Sequence, residues 1–238
     1  RASRARRLGG VIRSRAPVTR ALIDSAPVAF GYIPLGAAFG LLFADLGYTW
    51  VLAPFAALII FAGSAQFLAV GLLAAGAGYL EAFVATLVLN ARHLFYGLSV
   101  LDRYPARGLA RWYLMFGLTD ETYSLVTTKP VPEPADRVPY YVALTALNQS
   151  YWILGCTLGA SMQSLFQLNA EGFEFALVAL FVVLLLEQMT TMDVQWPLLV
   201  ALVASIGTYA LLESQFLVMA IALCVATLGL WYARTADG

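Results

Sequence analysis

Charge is what this sequence has least of. Of 238 residues only 12% are charged while 61% are apolar, and the mean hydropathy is +0.78. A soluble domain carries about 25% charged residues, and a globule of this length has too little interior to hide so much apolar surface. An ordinary cytosolic enzyme and a disordered chain are therefore excluded. Fourteen basic residues balance fourteen acidic ones, so no net field attracts a polyanion and no nucleic-acid partner is expected. Histidine is nearly missing, His93 being the only one. The two cysteines, Cys156 and Cys224, sit in apolar runs at no metal or redox spacing and read as small hydrophobes. Neither a metal nor a cofactor is expected. No phosphate-cradling GxxxxGK[ST] loop occurs, which argues against a built-in ATPase. What is left is an all-α polytopic membrane protein with the lipid bilayer as its solvent.

A membrane crossing needs roughly 20 mostly apolar residues. Eight stretches qualify, at about 26–46, 50–76, 80–101, 110–128, 138–162, 173–189, 196–212 and 215–233. Residues 1–25 form a basic N-terminal segment, and 26–233 read as a single transmembrane domain. Its halves, about 26–128 and 138–233, are joined by a Pro-rich surface linker at 129–139. The basic start imitates the n-region of a signal peptide. The apolar stretch after it, however, is too long for an h-region and closes on no small-residue cleavage site.

Arg1, Arg4, Arg6, Arg7, Arg13, Arg15 and Arg20 place the N-terminus in the cytoplasm by the positive-inside rule, and Arg103, Arg107 and Arg111 belong there too. Three full crossings between those two groups would contradict this. One stretch must enter and leave on the same side, and 50–76, interrupted by Gly63-Ser64-Ala65-Gln66, is the best candidate. The expected architecture is seven crossings plus one re-entrant pair of half-helices, with a plain eight-span bundle as the alternative. A faint echo of Leu35–Phe43 in Leu158–Phe166 suggests an inverted repeat whose two segments run in opposite directions.

Ionisable groups inside an apolar bundle are costly and mark sites by default. The densest set is Asn90, Arg92 and His93, followed by Asp120 and Glu121. Arg92 and Asp120 lie equally far from the intervening turn near Pro105, so an antiparallel pair brings them to similar depth. Which cation meets which carboxylate stays open, and a purely structural ion pair is the plain alternative. His93 is the one side chain whose unperturbed pKa lies near physiological pH, and it is read as a proton carrier or a packed core histidine. In Phe61-Ala62-Gly63-Ser64-Ala65-Gln66-Phe67, Gly63 allows a bend and Ser64 suits an N-cap. The exposed amides of the following half-helix suit a substrate carboxylate, with Ser64 and Gln66 helping and Phe39, Phe61 and Phe67 around the side chain. Close helix packing by the small residues is the alternative. Gly31–Gly36, with Pro34, reads as a kinked or broken stretch. Asn148, Gln149, Ser150, Glu187 and Gln188 are weaker signals.

In their order and spacing, AFGYIPLGAAFG, FAGSAQF, NARHLFYG and LTDETYS resemble the AzlC/YgaZ-type large subunit of bacterial branched-chain amino-acid exporters, from about Ala26 to Ala233. The resemblance implies a bacterial inner-membrane carrier that exports valine, leucine and isoleucine, with methionine a further candidate, driven by the proton gradient. It also implies a small hydrophobic AzlD/YgaH-type partner subunit. The family tends to carry an aspartate and a proline where this chain has Glu174 and Val178.

The resulting expectation is a non-enzymatic, proton-coupled exporter of neutral aliphatic amino acids. Asp120 or Glu121 would meet the substrate ammonium, and His93 or a carboxylate would take the proton. Two alternatives stand beside it. One is a passive channel or membrane scaffold, and the other an intramembrane hydrolase that pairs Ser64 with His93.

Overall fold

The computed structural model describes residues 16–104, 107–168, 196–211 and 216–236, with helical positions 175, 178, 179, 182, 183, 185, 186 and 189 between them. Arg1 to Arg15, Glu174, Glu187 and Gln188 lie outside the described residues, as does much of the stretch 173–189. Among the described residues the fold is all-helical.

Two long helices form the spine, α1 (Pro17–Asp45) and α8 (Arg137–Phe166). Their contact is lined by small residues. A Cβ added at Gly36 would lie 2.9 Å from the Trp152 carbonyl, and one added at Gly40 or Gly159 would strike the backbone of Cys156 or Ala37. Only glycine lets two helices approach this closely, the device of membrane helix pairs. Asp24 meets Tyr140 at one end of the spine and Asp45 meets Gln163 at the other, so α1 and α8 run in the same direction. That corrects the expected echo between 35–43 and 158–166, whose segments are parallel rather than inverted. α1 is also unbroken although it contains Pro27 and Pro34.

Stretch 50–76 is split, as the sequence suggested, into α2 (Leu52–Ile59) and α3 (Gly63–Ala74). α2 starts beside Asp45 and Gln163 and descends until the Leu58 carbonyl accepts from Gln149. After the bend, Phe61 packs on Tyr32 and Phe67 on Phe39, so the chain climbs back along α1. Stretch 80–101 is interrupted at Ala91, between α4 (Tyr79–Asn90) and α5 (Arg92–Ser99).

The fourth stretch departs from expectation. Instead of one crossing it forms α6 (Gly108–Phe116) and α7 (Asp120–Thr128), bent at Gly117–Thr119. The bend is tight because Gly117 faces Thr145, where an added Cβ would collide with the methyl group. From the bend, Thr122 meets Asn148, Arg103 reaches the Val126 carbonyl and Lys129 meets Asp24, so α7 leads back to the end where α6 began. The linker after it consequently lies at the Arg20 end, where Arg20 donates to the Pro130 carbonyl. The seven-crossing scheme, which places that linker at the opposite end, is corrected here.

The result is two half-helix pairs entering from opposite ends, each nested in its own core. Ala57 and Phe67 of α2–α3 share one core with Phe39, Leu42 and Trp152, while Leu114 and Val126 of α6–α7 share the other with Tyr104, Tyr140 and Leu144. The unit α1–α2–α3 recurs in reversed course as α4/α5–α6–α7. The two bends, Phe61-Ala62-Gly63-Ser64-Ala65-Gln66 and Phe116-Gly117-Leu118-Thr119-Asp120-Glu121, each open with Phe and carry one glycine and one hydroxyl residue. The chain ends in α9 (Trp196–Leu211) and α10 (Phe216–Ala236), which pack on each other, with α10 also against α4. Of the described helices, α1 is long and apolar enough by length and composition to cross a membrane.

Large apolar side chains face outward as well as inward, unlike in a soluble protein. Phe30, Tyr79, Leu80, Leu94, Phe95, Leu109 and Trp112 are exposed, whereas Thr122, Thr145 and Asn148 are fully buried. In lipid the outward apolar side chains are satisfied, and Asn148 Nδ2 finds Thr122 within the bundle.

Candidate functional site

The two bends and the α4/α5 interruption meet midway along the spine, around a cavity of about 50 Å³. That is several-fold the roughly 10–15 Å³ one water requires. Tyr32, Leu35, Phe61, Gly63, Ser64, Phe67, Arg92, His93, Thr119, Asp120, Glu121 and Trp152 all reach it.

Each polar group arrives at a helix end. Arg92 opens α5, and its Nη2 lies 2.8 Å from Asp120 Oδ2 and donates to Ser64 Oγ at 2.9 Å. Asp120 and Glu121 open α7, where the positive end of the helix dipole favours carboxylates. Thr119 caps that helix by accepting from the Thr122 amide. The Tyr32 hydroxyl donates to Glu121 Oε2 at 2.6 Å and lies 2.7 Å from Thr119 Oγ1. Behind it, Thr119 donates to Thr122, which accepts from Asn148 Nδ2. Arg92 Nε and Asp120 Oδ1 are buried with no hydrogen-bond partner among the described residues. The pair thus keeps one donor and one acceptor unused.

The start of α3 differs from the reading of Ser64 as its N-cap. Ala62, in extended backbone at φ −151° and ψ 89°, holds that position and has no side chain to cap with. Ser64 lies within the first turn, and its hydroxyl is taken by Arg92. The Gln66 amide is the first in α3 with an intrahelical partner, the Ala62 carbonyl. The amides of Gly63, Ser64 and Ala65 therefore have none within the helix, and they stand beside a guanidinium.

Other expected site residues are placed differently. Gln66 does not face the cavity; its Oε1 accepts from Trp152 Nε1 at 2.6 Å. Phe39 stands one layer back, against Phe67 and Trp152. Asn90 lines a separate hollow with Met115 and Leu118, and its carbonyl lies 3.3 Å from His93 Nδ1. No hydrogen bond joins Ser64 to His93 among the described residues, so the nucleophile–base pair of the hydrolase reading lacks its geometry. Four of these cavity residues, Tyr32, Leu35, Thr119 and Trp152, are not among the expected site residues. Tyr32 and Trp152 are neutral aromatics in a chain that is 13% aromatic, and nothing in the sequence sets them apart.

The family profile described as "AzlC protein" matches residues 27–166, the span from α1 to α8. The branched-chain amino acid transport protein AzlC of Bacillus subtilis is 35% identical over 195 residues, 82% of this chain and 77% of that protein. An uncharacterized membrane protein of Helicobacter pylori is 34% identical over 205 residues, covering 86% of this chain and 90% of its own length. The inner membrane protein YgaZ of Escherichia coli is 32% identical over 142 residues, 58% of this chain and 57% of that one. No solved structure matches the chain. With the profile spanning both half-helix pairs and the Bacillus and Helicobacter relatives covering most of its length, the chain belongs to the AzlC family of membrane proteins.

Proposed function

We propose that this protein is a secondary carrier that exports branched-chain amino acids across the bacterial inner membrane in exchange for protons. The reading is carried by one observation. A guanidinium, two carboxylates and unpartnered helix amides converge on a cavity that also has an apolar side formed by Leu35, Phe61, Phe67 and Trp152.

An aliphatic amino acid presents a carboxylate, an ammonium and a hydrocarbon side chain. Its carboxylate fits the amides of Gly63, Ser64 and Ala65, aided by Arg92. Its ammonium fits Glu121, because Asp120 is already engaged by Arg92. Its side chain lies against Leu35, Phe61, Phe67 and Trp152. Glu121 holds either the ammonium or a proton, but not both, so the two exchange places on one carboxylate. That exclusivity couples their movements in opposite directions, since each occupant shifts the balance of inward- and outward-open states. His93 at the cavity wall supplies a second protonatable group.

In the bilayer, α1, α4/α5 and α8 cross, and α2–α3 and α6–α7 are re-entrant from opposite faces. Arg20, Arg103, Lys129 and Arg137 then share the cytoplasmic end, where α1 begins. Bends that meet at mid-membrane, with unwound backbone only at the cavity, follow the design of inverted-repeat carriers. The family resemblance adds a small AzlD/YgaH-type subunit as partner.

The test is reconstitution with and without that subunit, following labelled leucine and lumenal pH together under an imposed pH gradient. Leucine flux with matching opposite proton movement is expected. Leucine flux that dissipates its own gradient without moving protons would mean a passive channel. Absence of flux for every branched-chain amino acid in both preparations would remove the substrate assignment.

A further inference from the structure

Gln66 is a polar residue of the FAGSAQF bend that the proposed mechanism leaves without a task. It is 2% exposed, does not reach the cavity, and spends its carbonyl on the Trp152 indole at 2.6 Å. Its Nε2 is buried with no hydrogen-bond partner among the described residues. A half-satisfied buried amide is costly, and a hydrophobic residue of similar size would avoid the cost. What the amide achieves is the fixing of Trp152.

Trp152 is held on every side. Its ring lies edge-on to Tyr32 at 5.5 Å and to Phe67 at 6.5 Å, and stacks on Phe39 at 6.3 Å. A Cβ added at Gly63 would sit 3.1 Å from its Cη2, so the indole edge abuts the residue that opens α3. The wall of the cavity and the amides of the carboxylate site therefore touch. A ligand anchored by its carboxylate at Gly63 has its Cα beside the indole, and its side chain must fit the space the indole leaves.

The opposite bend repeats the arrangement. Glu121, the second residue of α7, also holds a spine aromatic, accepting from the Tyr32 hydroxyl at 2.6 Å. The two clamped aromatics touch each other edge-on and both line the cavity. One clamp is ionisable and the other neutral, so they divide the work between charge and shape.

We propose that Trp152 determines the size of the amino-acid side chain the carrier accepts, and that Gln66 is the positioning residue holding it. This rests on the amino-acid reading above. The experiment measures kcat/KM for exchange of valine, leucine and phenylalanine by the reconstituted protein in four forms: wild type, Trp152→Phe, Gln66→Leu and the double variant. Ratios between substrates within one preparation are independent of how much protein folded, so loss of folded material leaves the readout intact. The wild type is expected to favour leucine over phenylalanine. Trp152→Phe should raise the phenylalanine-to-leucine ratio by roughly tenfold or more, the scale of discrimination set by a hydrophobic pocket. Gln66→Leu should shift the ratio the same way by less, and the double variant should go no further than Trp152→Phe, because the two residues act as one unit. Unchanged ratios in both single variants would overturn the proposal while leaving the amino-acid reading standing. A double variant whose shift is the sum of the two would overturn the role of Gln66. A wild type that exchanges none of the three substrates would overturn the amino-acid reading and this proposal with it.

Discussion

At the scale of single residues, the Arg92–Asp120 pair is the central electrostatic contact, with both side chains 26% exposed and aligned at 2.8 Å. Removing one partner of a fully buried pair costs about 3–5 kcal/mol, and partial exposure lowers that toward the surface range. Arg92→Ala should therefore lose about 2 kcal/mol, and adding Asp120→Ala should cost less than the two singles combined. Thermal unfolding in detergent checks both. The carboxylate next to it has a different role. Glu121→Gln keeps an acceptor for the Tyr32 hydroxyl but cannot exchange a proton for an ammonium. Leucine counterflow should persist at reduced rate, and acceleration by a pH gradient should disappear. A variant still driven by the gradient would move the coupling to Asp120 or His93. That Arg92 and His93 lie at the depth of Asp120 and Glu121 was legible in the sequence because charges are rare and their distances from a turn can be counted, whereas which carboxylate Arg92 meets was not. Tyr32 and Trp152 were not, since an aromatic that lines a cavity and one that fills a core look identical until neighbours are known.

At the scale of elements, the α1–α8 contact should tolerate almost no added volume. Gly40→Ala and Gly159→Ala place a methyl group inside the partner's backbone, so the helices must separate at a cost of about 1–3 kcal/mol or more. Gly207 and Gly229 have open space around the same position. Gly229→Ala should be neutral or slightly stabilising, because alanine is the better helix former. Parallel melts of Gly159→Ala and Gly229→Ala decide the point, and equal melting temperatures would contradict the packing described. The split of 50–76 was legible from its small polar interruption. The split of 110–128 was less so, because Gly117-Leu118-Thr119 has only one glycine and its bend depends on Thr145 of a helix distant in sequence.

At the scale of the whole molecule, two opposed half-helix pairs place the linker 129–139 at the same end as Arg20, opposite Tyr48. With Cys156 and Cys224 replaced, Val131→Cys should react with an impermeant thiol reagent only from the cytoplasmic side and Tyr48→Cys only from the other. Labelling of both from one side would restore a through-crossing α6–α7. The sequence by itself determined that the chain is an all-helical membrane protein, that few ionisable groups cluster in it and that one stretch turns back on itself. Those properties follow from composition and local spacing, which bilayer thickness and the cost of burying charge convert directly into structure. Only the tertiary structure decided that a second stretch turns back, that α1 and α8 run parallel, and that Gln66 serves Trp152 rather than the cavity. Each of these depends on which helices pack together. Small apolar residues leave that choice nearly degenerate in one dimension, and it is settled only when backbones approach closely enough for a single methyl group to matter.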